Sequence, residues 1–318
     1  MNGFPDEVVL EEVGCPNGCQ PQDHVLLIGR DRIHNIPGKF SICRCAECGL
    51  QRTNPRPTAS TIGVYYPSDY QPYHVTAKKD VKSASKVKSF VFEVLGLRSK
   101  ELPAIQPGKM LEIGCSSGAY MEEARDLGWA VDGVEFSEVA ASSARAKGFS
   151  VLSGPIEEVD LPEQEYDIVT AWMVLEHLHD PLSSLRKLRR VVKPSGYLVA
   201  SVPDASSLAR YVFKERCYDL HLPAHLFHYT PKTISLILKK SGWSVVRIKW
   251  QRNSNTVINS FYYWAEEKGV LLAFAKWLKD SKSASYIRTA MSVILGATRL
   301  SGRIEIWAVP VRDVDELR

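Results

Sequence analysis

The 318-residue chain lacks any apolar run long enough to span a bilayer, and its opening MNGFPDEVVLEEVG lacks the basic region and apolar stretch of a secretory signal. A cytoplasmic location is the expectation. An excess of one charge is also missing: 40 basic and 36 acidic side chains leave a formal net charge of +4, so no field of one sign calls for a polyanionic partner. Nucleic acid is therefore not an expected partner. There is no internal repeat and no low-complexity tract, and 45% hydrophobic with 24% charged residues is ordinary for a folded globular chain. The length favours one main domain with a smaller appendage.

Cysteine is sparse but unevenly spread. Of seven, five fall in the first fifty residues, as CPNGC (15–19) and CRCAECGL (43–50). Reduced cytosolic thiols argue against a disulfide framework, and two short knuckles argue for metal. Four thiolates close a tetrahedral zinc site, and C-x2-C curls both sulfurs toward one ion, whereas C-x-C sends them to opposite faces of a strand. Cys15, Cys19, Cys45 and Cys48 are the expected ligands of a structural zinc, with Cys43, His24 and His34 as alternates. The zinc-binding module is read as residues 1–57, closed by NPRPTAS (54–60). A tyrosine-rich connecting segment with helical character follows over 58–105, and from it Tyr70 and Tyr73 are expected to help wall an acceptor pocket.

From residue 106 strand and helix patterns alternate: KMLEIG, AYMEEARDLG, WAVDGVE, SEVAASSARAKG capped by Ser137, YDIVTAW, DPLSSLRKLRRVVKP and GYLVASV. Such alternation predicts an α/β fold, a doubly wound, Rossmann-like and mostly parallel sheet. The closing strands WSVVRIKW and RIEIWAV predict an antiparallel edge. Within this domain (106–318), the loop 203–231 and the insertion 252–302 are read as a substrate lid. GVLLAFAKWLKD and YIRTAMSVILGATRL make the insertion apolar enough for a homodimer surface as well.

The first strand leads into GCSSG, with glycines at 114 and 118 and Ser116 between them. Glycines there let backbone approach a ligand, and the next helix offers its free N–H groups. A dinucleotide loop would read G-x-G-x-x-G. Here Glu112 stands just before the first glycine, where it would repel a pyrophosphate and attract an ammonium, while Glu135 closes the next strand where a carboxylate accepts from ribose hydroxyls. The pair points to S-adenosylmethionine.

With these residues in place, the chain resembles class I S-adenosylmethionine-dependent methyltransferases, of the small-molecule or sugar type with an N-terminal zinc module. LEIGCSSG is similar to the family's E/D-x-G-x-G-x-G loop, GVEFSE to its ribose-binding segment, and YDIVTAWMVLEHLHDP with LRRVVKPSGYLVASVP to its fourth strand, helix and fifth strand. The resemblance implies cofactor contacts at Glu112, Gly114, Ser116, Gly118, Glu135, Phe136, Ile156, Glu157 and Trp172. Relatives that methylate quinone-type phenols have E-x-x-E-H after the fourth strand, whereas Met173 stands here in the first position before Glu176 and His177. No metal-assisted mechanism of that kind is expected.

Methyl transfer to a hydroxyl needs alignment and a proton acceptor, which histidine supplies near neutral pH. DLHLPAHLFHYT brings His221, His225 and His228 into one loop at a strand's C-terminal end. By resemblance to sugar C-methyltransferases His225 is the expected base and His177 the second candidate, with His221 and His228 toward the substrate. The expected function is transfer to a hydroxyl of a sugar, glycan or secondary metabolite. A nucleic-acid base methyltransferase and a non-catalytic scaffold are the alternatives.

Overall fold

A computed structural model describes residues 3–67 and 100–311. Tyr70, Tyr73 and most of the 58–105 connecting segment lie outside the described residues. The N-terminal part is built from β1 (Leu10–Glu11), β2 (Asp23–Gly29), β3 (Phe40–Cys45), β4 (Gln51–Thr53) and β5 (Arg56–Pro57). Strands β2, β3 and β4 form an antiparallel ladder, and β1 pairs with β5.

The main sheet begins with β6 (Lys109–Ile113), whose KMLEI is buried on both faces, as an interior parallel strand must be. Helix α1 (Ala119–Asp126) follows, then β7 (Ala130–Glu135) and α2 (Glu138–Arg145), where the Ser137 hydroxyl accepts from the Ala140 N–H. Strand β8 (Ser150–Ser153) is too short to show a period in sequence. Next come β9 (Tyr166–Trp172), α3 (Pro181–Val191) and β10 (Val192–Pro203). Asp180 caps α3 by accepting from the Ser183 N–H, and Pro181 occupies its first turn, where no N–H partner is lost.

Beyond β10 the loop contains α4 (Leu208–Phe213) and β11 (Phe227–His228), before α5 (Pro231–Lys240), β12 (Trp243–Trp250), α6 (Asn255–Lys268), α7 (Leu272–Asp280), α8 (Ser285–Ala297) and β13 (Arg303–Pro310). The seven strands lie in the order β12-β13-β10-β9-β6-β7-β8. Strand β13 is antiparallel to both neighbours, and β6 through β10 are parallel. At this edge β13 stands one place in from the margin and β12 outside it.

The chain runs from β6 outward to β8 and then resumes at β9 on the other side of β6. This reversal opens a crevice beyond the strands' C-terminal ends, where such sheets bind ligands. One core cluster unites the sheet (Leu111, Val169, Leu198, Ile306) with α3 and α5 (Leu185, Ile234) and with Leu50 of the N-terminal part. Strand β11 pairs with β4, so the loop after β10 completes the N-terminal sheet as its fourth strand. Among the described residues no helix is long and apolar enough to cross a membrane.

Candidate functional site

A cavity of about 1070 Å³ lies at the crevice. The loop after β6 forms its floor, with positive φ at Gly114 (66°), Ser116 (50°) and Gly118 (77°). A Cβ on Gly114 would stand 2.6 Å from the Val174 Cγ2, so glycine there serves close approach as well as backbone sign. Ser116 adopts a conformation in which an L side chain costs about 1–2 kcal/mol. Its N–H donates to Glu135 Oε2 at 2.8 Å and the Ser137 N–H donates to Oε1 at 2.9 Å, so the carboxylate of β7 anchors the loop and the start of α2. Burial pushes the Glu135 carboxyl upward in pKa, and these backbone donors oppose it.

Gly114, Ser116, Glu135, Phe136, Ile156, Glu157 and Trp172 all face the cavity, as does Glu112. Gly118 was expected to join them, but it sits behind the wall: a Cβ there would meet Ala144 at 3.1 Å, so its smallness serves packing of α1 on α2. Glu157 lines the wall while its carboxylate accepts from the Ser184 hydroxyl of α3. Phe136 is 57% exposed at the rim and Ile156 is buried. The Trp172 Nε1 is buried with no hydrogen-bond partner among the described residues.

Glu112 is enclosed, and its Oε2 has no hydrogen-bond partner among the described residues. Burial raises its carboxyl to about 8, against the pull of the Lys100 charge. Lys100 was not singled out in the sequence. Its Nζ lies 4.5 Å from the Tyr120 ring centroid and 5.8 Å from that of Trp172, and burial lowers its pKa against the pull of Glu112 and Glu123. A cation and a carboxylic acid thus lie close together on the cavity wall, complementary to a zwitterion.

The cavity wall also carries the imidazoles of His177, His221 and His225. His177 ends a turn of 3₁₀ helix (Leu175–His177), with Nδ1 at 2.9 Å from the Ala224 carbonyl and 2.8 Å from the Tyr66 hydroxyl. Burial lowers its pKa to about 4. His225 is buried with Nδ1 at 2.8 Å from the Asp219 carbonyl. A carbonyl only accepts, so Nδ1 carries the proton and the lone pair sits on Nε2. That Nε2 lies 3.9 Å from Glu176 Oε1. Rings of His177 and His221 lie 4.7 and 4.9 Å from the His225 ring, and burial, reinforced by these neighbours, holds His225 well below the usual histidine pKa.

His221 faces the cavity, with burial lowering its pKa to about 3. His228 does not serve the acceptor side: it belongs to β11, is buried, and its Nε2 lies 3.2 Å from the Thr53 Oγ1 of β4. Pairing of β11 with β4 turned it into the N-terminal sheet. His34, weighed above as a metal ligand, faces the cavity instead, together with Tyr66, Asp219 and Arg303. Arg303 Nη2 stands 3.7 Å from Asp219 Oδ1. Tyr66 had a sequence signal in the tyrosine-rich stretch and His34 one as an alternate metal ligand, whereas Asp219 and Arg303 were not singled out.

At the N-terminal sheet, Cys15, Cys19, Cys45 and Cys48 bring their sulfurs within 4.8 Å of one another. The Cys15 and Cys48 sulfurs are 3.5 Å apart, and Asn17 Nδ2 donates to the Cys48 sulfur at 3.4 Å. Cys43, two positions before Cys45 in β3, contacts the Asn54 carbonyl at 3.6 Å. The choice of Cys45 over Cys43 agrees with this grouping, and the donor set suits a tetrahedral thiolate-bound ion.

The Methyltransferase domain family matches residues 87–248, just over half of the chain, and the chain belongs to that family. The mitochondrial ubiquinone biosynthesis O-methyltransferase of Schizosaccharomyces pombe is 34% identical over 162 residues, 44% of this chain and 57% of that protein. The ubiquinone biosynthesis O-methyltransferase of Hydrogenovibrio crunogenus is 29% identical over 109 residues, 32% of this chain and 45% of that protein. The chain therefore spans about half the length of these curated relatives. A solved S-adenosylmethionine-dependent methyltransferase from Mesorhizobium loti aligns with a TM-score of 0.46 at 15% identity, over 71% of this chain and 99% of that one.

Proposed function

We propose that this chain transfers a methyl group from S-adenosylmethionine to a hydroxyl oxygen of a small acceptor such as a sugar, a glycan or a secondary metabolite. The observation that carries this reading is one cavity whose wall carries both a Lys100–Glu112 pair with Glu135 and a histidine cluster. The cofactor would supply a methyl group on a positively charged sulfur. Glu135 would accept from the ribose hydroxyls, Lys100 and Glu112 would hold the carboxylate and ammonium, and Phe136, Ile156 and Trp172 would flank the nucleoside. Oxygen as the target is supported by relatives named as O-methyltransferases.

In the histidine cluster His225 takes the acceptor's proton on Nε2. Its neutral form is the resting one, and the Glu176 carboxyl at 3.9 Å, which burial pushes up to about 8, supplies a countercharge only where pH is high enough to ionise it. His177 and His221 complete that wall. The four cysteines hold a structural zinc that ties the N-terminal sheet together. Calorimetry with S-adenosylhomocysteine and transfer of labelled methyl to a panel of hydroxylated acceptors test the reading. His225→Ala is expected to keep cofactor binding and lose transfer. Unchanged turnover refutes the base, and a wild-type protein that does not bind S-adenosylhomocysteine refutes the reading as a whole.

A further inference from the structure

The positive charge of this chain is not evenly spread. Residues 268–300 carry six basic side chains and one acidic one, Asp280, an excess larger than the +4 of the whole chain. Lys268, Lys276, Lys279 and Lys282 of this stretch are all exposed. Of the acids just before it, Glu267 is ion-paired with Arg32 and Arg216, and Glu266 accepts from the Tyr262 hydroxyl. Exposed apolar residues gather in the same stretch. Helices α6 and α7 are joined by Gly269, Val270 and Leu271, all exposed. Leu271 takes a left-handed backbone (φ 55°), which suits glycine or asparagine, yet it is 59% exposed, so packing within the chain does not account for a leucine there.

From this turn the apolar surface continues along α7. Ala275 and Leu278 are buried, whereas Phe274 and Trp277, three positions apart and so on one stripe, are exposed. Their rings stack at 5.6 Å, and Phe261 and Trp264 of α6 extend the ladder, with Phe261 6.2 Å from Phe274. None of these side chains lines the cavity. Lys276 and Lys279 form a second stripe of α7, and the Lys279 Nζ lies 4.4 Å from the Tyr262 ring centroid. A contiguous exposed apolar surface rimmed by polar groups marks a site of association. Charge selects the partner. A second copy related by a two-fold axis would meet this surface through the same patch and set lysines against lysines. An anionic bilayer surface matches it instead: aromatic rings settle at headgroup depth, lysine stems lie along apolar surface with their ammonium groups among phosphates, and an apolar tip enters the acyl boundary. We infer that the α6–α7 hairpin docks this chain on an anionic lipid surface, with Leu271, Phe274 and Trp277 as apolar contacts and Lys268, Lys276 and Lys279 as electrostatic ones. Helix α7 has nine residues, so the contact lies in the interface plane and does not span it.

The test is co-sedimentation of the intact chain with extruded vesicles of phosphatidylcholine alone or of phosphatidylcholine and phosphatidylglycerol in equal parts. Wild type is expected to bind the phosphatidylglycerol vesicles at least about 10-fold more tightly than the neutral ones and to be released as salt approaches about 0.5 M. Leu271→Asn, which suits the left-handed turn, and the double change Lys276→Gln with Lys279→Gln are each expected to weaken that binding about 10-fold or more, with thermal unfolding as the measure of fold. No binding to the phosphatidylglycerol vesicles, equal binding to both kinds, or unchanged binding in either variant overturns the inference. Analytical ultracentrifugation without vesicles covers the remaining outcome: a wild-type dimer that Leu271→Asn turns into a monomer gives the surface to a second copy and overturns it too. Neither readout involves the cofactor, so failure of methyl transfer leaves the lipid contact standing, and the reverse holds as well.

Discussion

Replacing Glu135 by Gln keeps the side chain's shape and removes its charge and one acceptor oxygen. Its two oxygens now receive the Ser116 N–H at 2.8 Å and the Ser137 N–H at 2.9 Å. An amide accepts through one oxygen only, so one of those N–H groups must face an NH₂, at a cost to the fold of about 1–3 kcal/mol. In the proposed complex the same side chain also accepts from two ribose hydroxyls. Hydrogen bonds to a charged group contribute about 1.5–3 kcal/mol each and neutral ones about 0.5–1.5, so the variant loses roughly 2–3 kcal/mol of cofactor binding. That is a fall of about 30- to 150-fold in affinity for S-adenosylhomocysteine. Titration calorimetry on the folded variant, with thermal unfolding run alongside, measures both quantities. If the melting temperature falls while affinity changes less than about threefold, Glu135 is a loop anchor only and its assignment to the ribose is wrong.

Glu112 gives the protein a pH dependence. Burial holds its carboxyl at about 8, so it must ionise to hold an ammonium, and affinity for S-adenosylhomocysteine is expected to rise as pH climbs through 8. The same group, raised from 4.5, stabilises the fold fully below 4.5 and loses that contribution as pH rises through 8; Glu112→Gln should flatten both profiles in calorimetry and melting. At the N-terminal sheet, Cys45→Ser should release the bound zinc and Cys43→Ser should retain it, as read by atomic emission, because only the former sulfur joins Cys15, Cys19 and Cys48. Zinc lost equally from both variants would refute the ligand set.

Much of the scaffold was legible because its signals are local. Ser137 caps the helix its sequence announced, Asp180 and Pro181 open the next one, and the GCSSG loop takes three left-handed residues in five positions. Strand β8, of four residues, and β11, of two, escaped because such short segments carry no period. Helix α6 escaped for another reason: NTVINSFYYWAEEK mixes polar and aromatic residues with a weak apolar stripe.

The sequence by itself determined the alternating α/β plan, the positions of Glu112 and Glu135 around the glycine loop, and the pairing of two cysteine knuckles. These follow from spacing along the chain and from what a residue does to its own backbone. Only the tertiary structure decided that Lys100 stands beside Glu112, that His34 and Arg303 reach the cavity, and that Glu176 is buried 3.9 Å from the His225 Nε2. It also separated His225 from His228, three residues apart, by drawing the second into β11 against β4. Contacts of that kind depend on which segments the sheet order brings together, and no local periodicity encodes them.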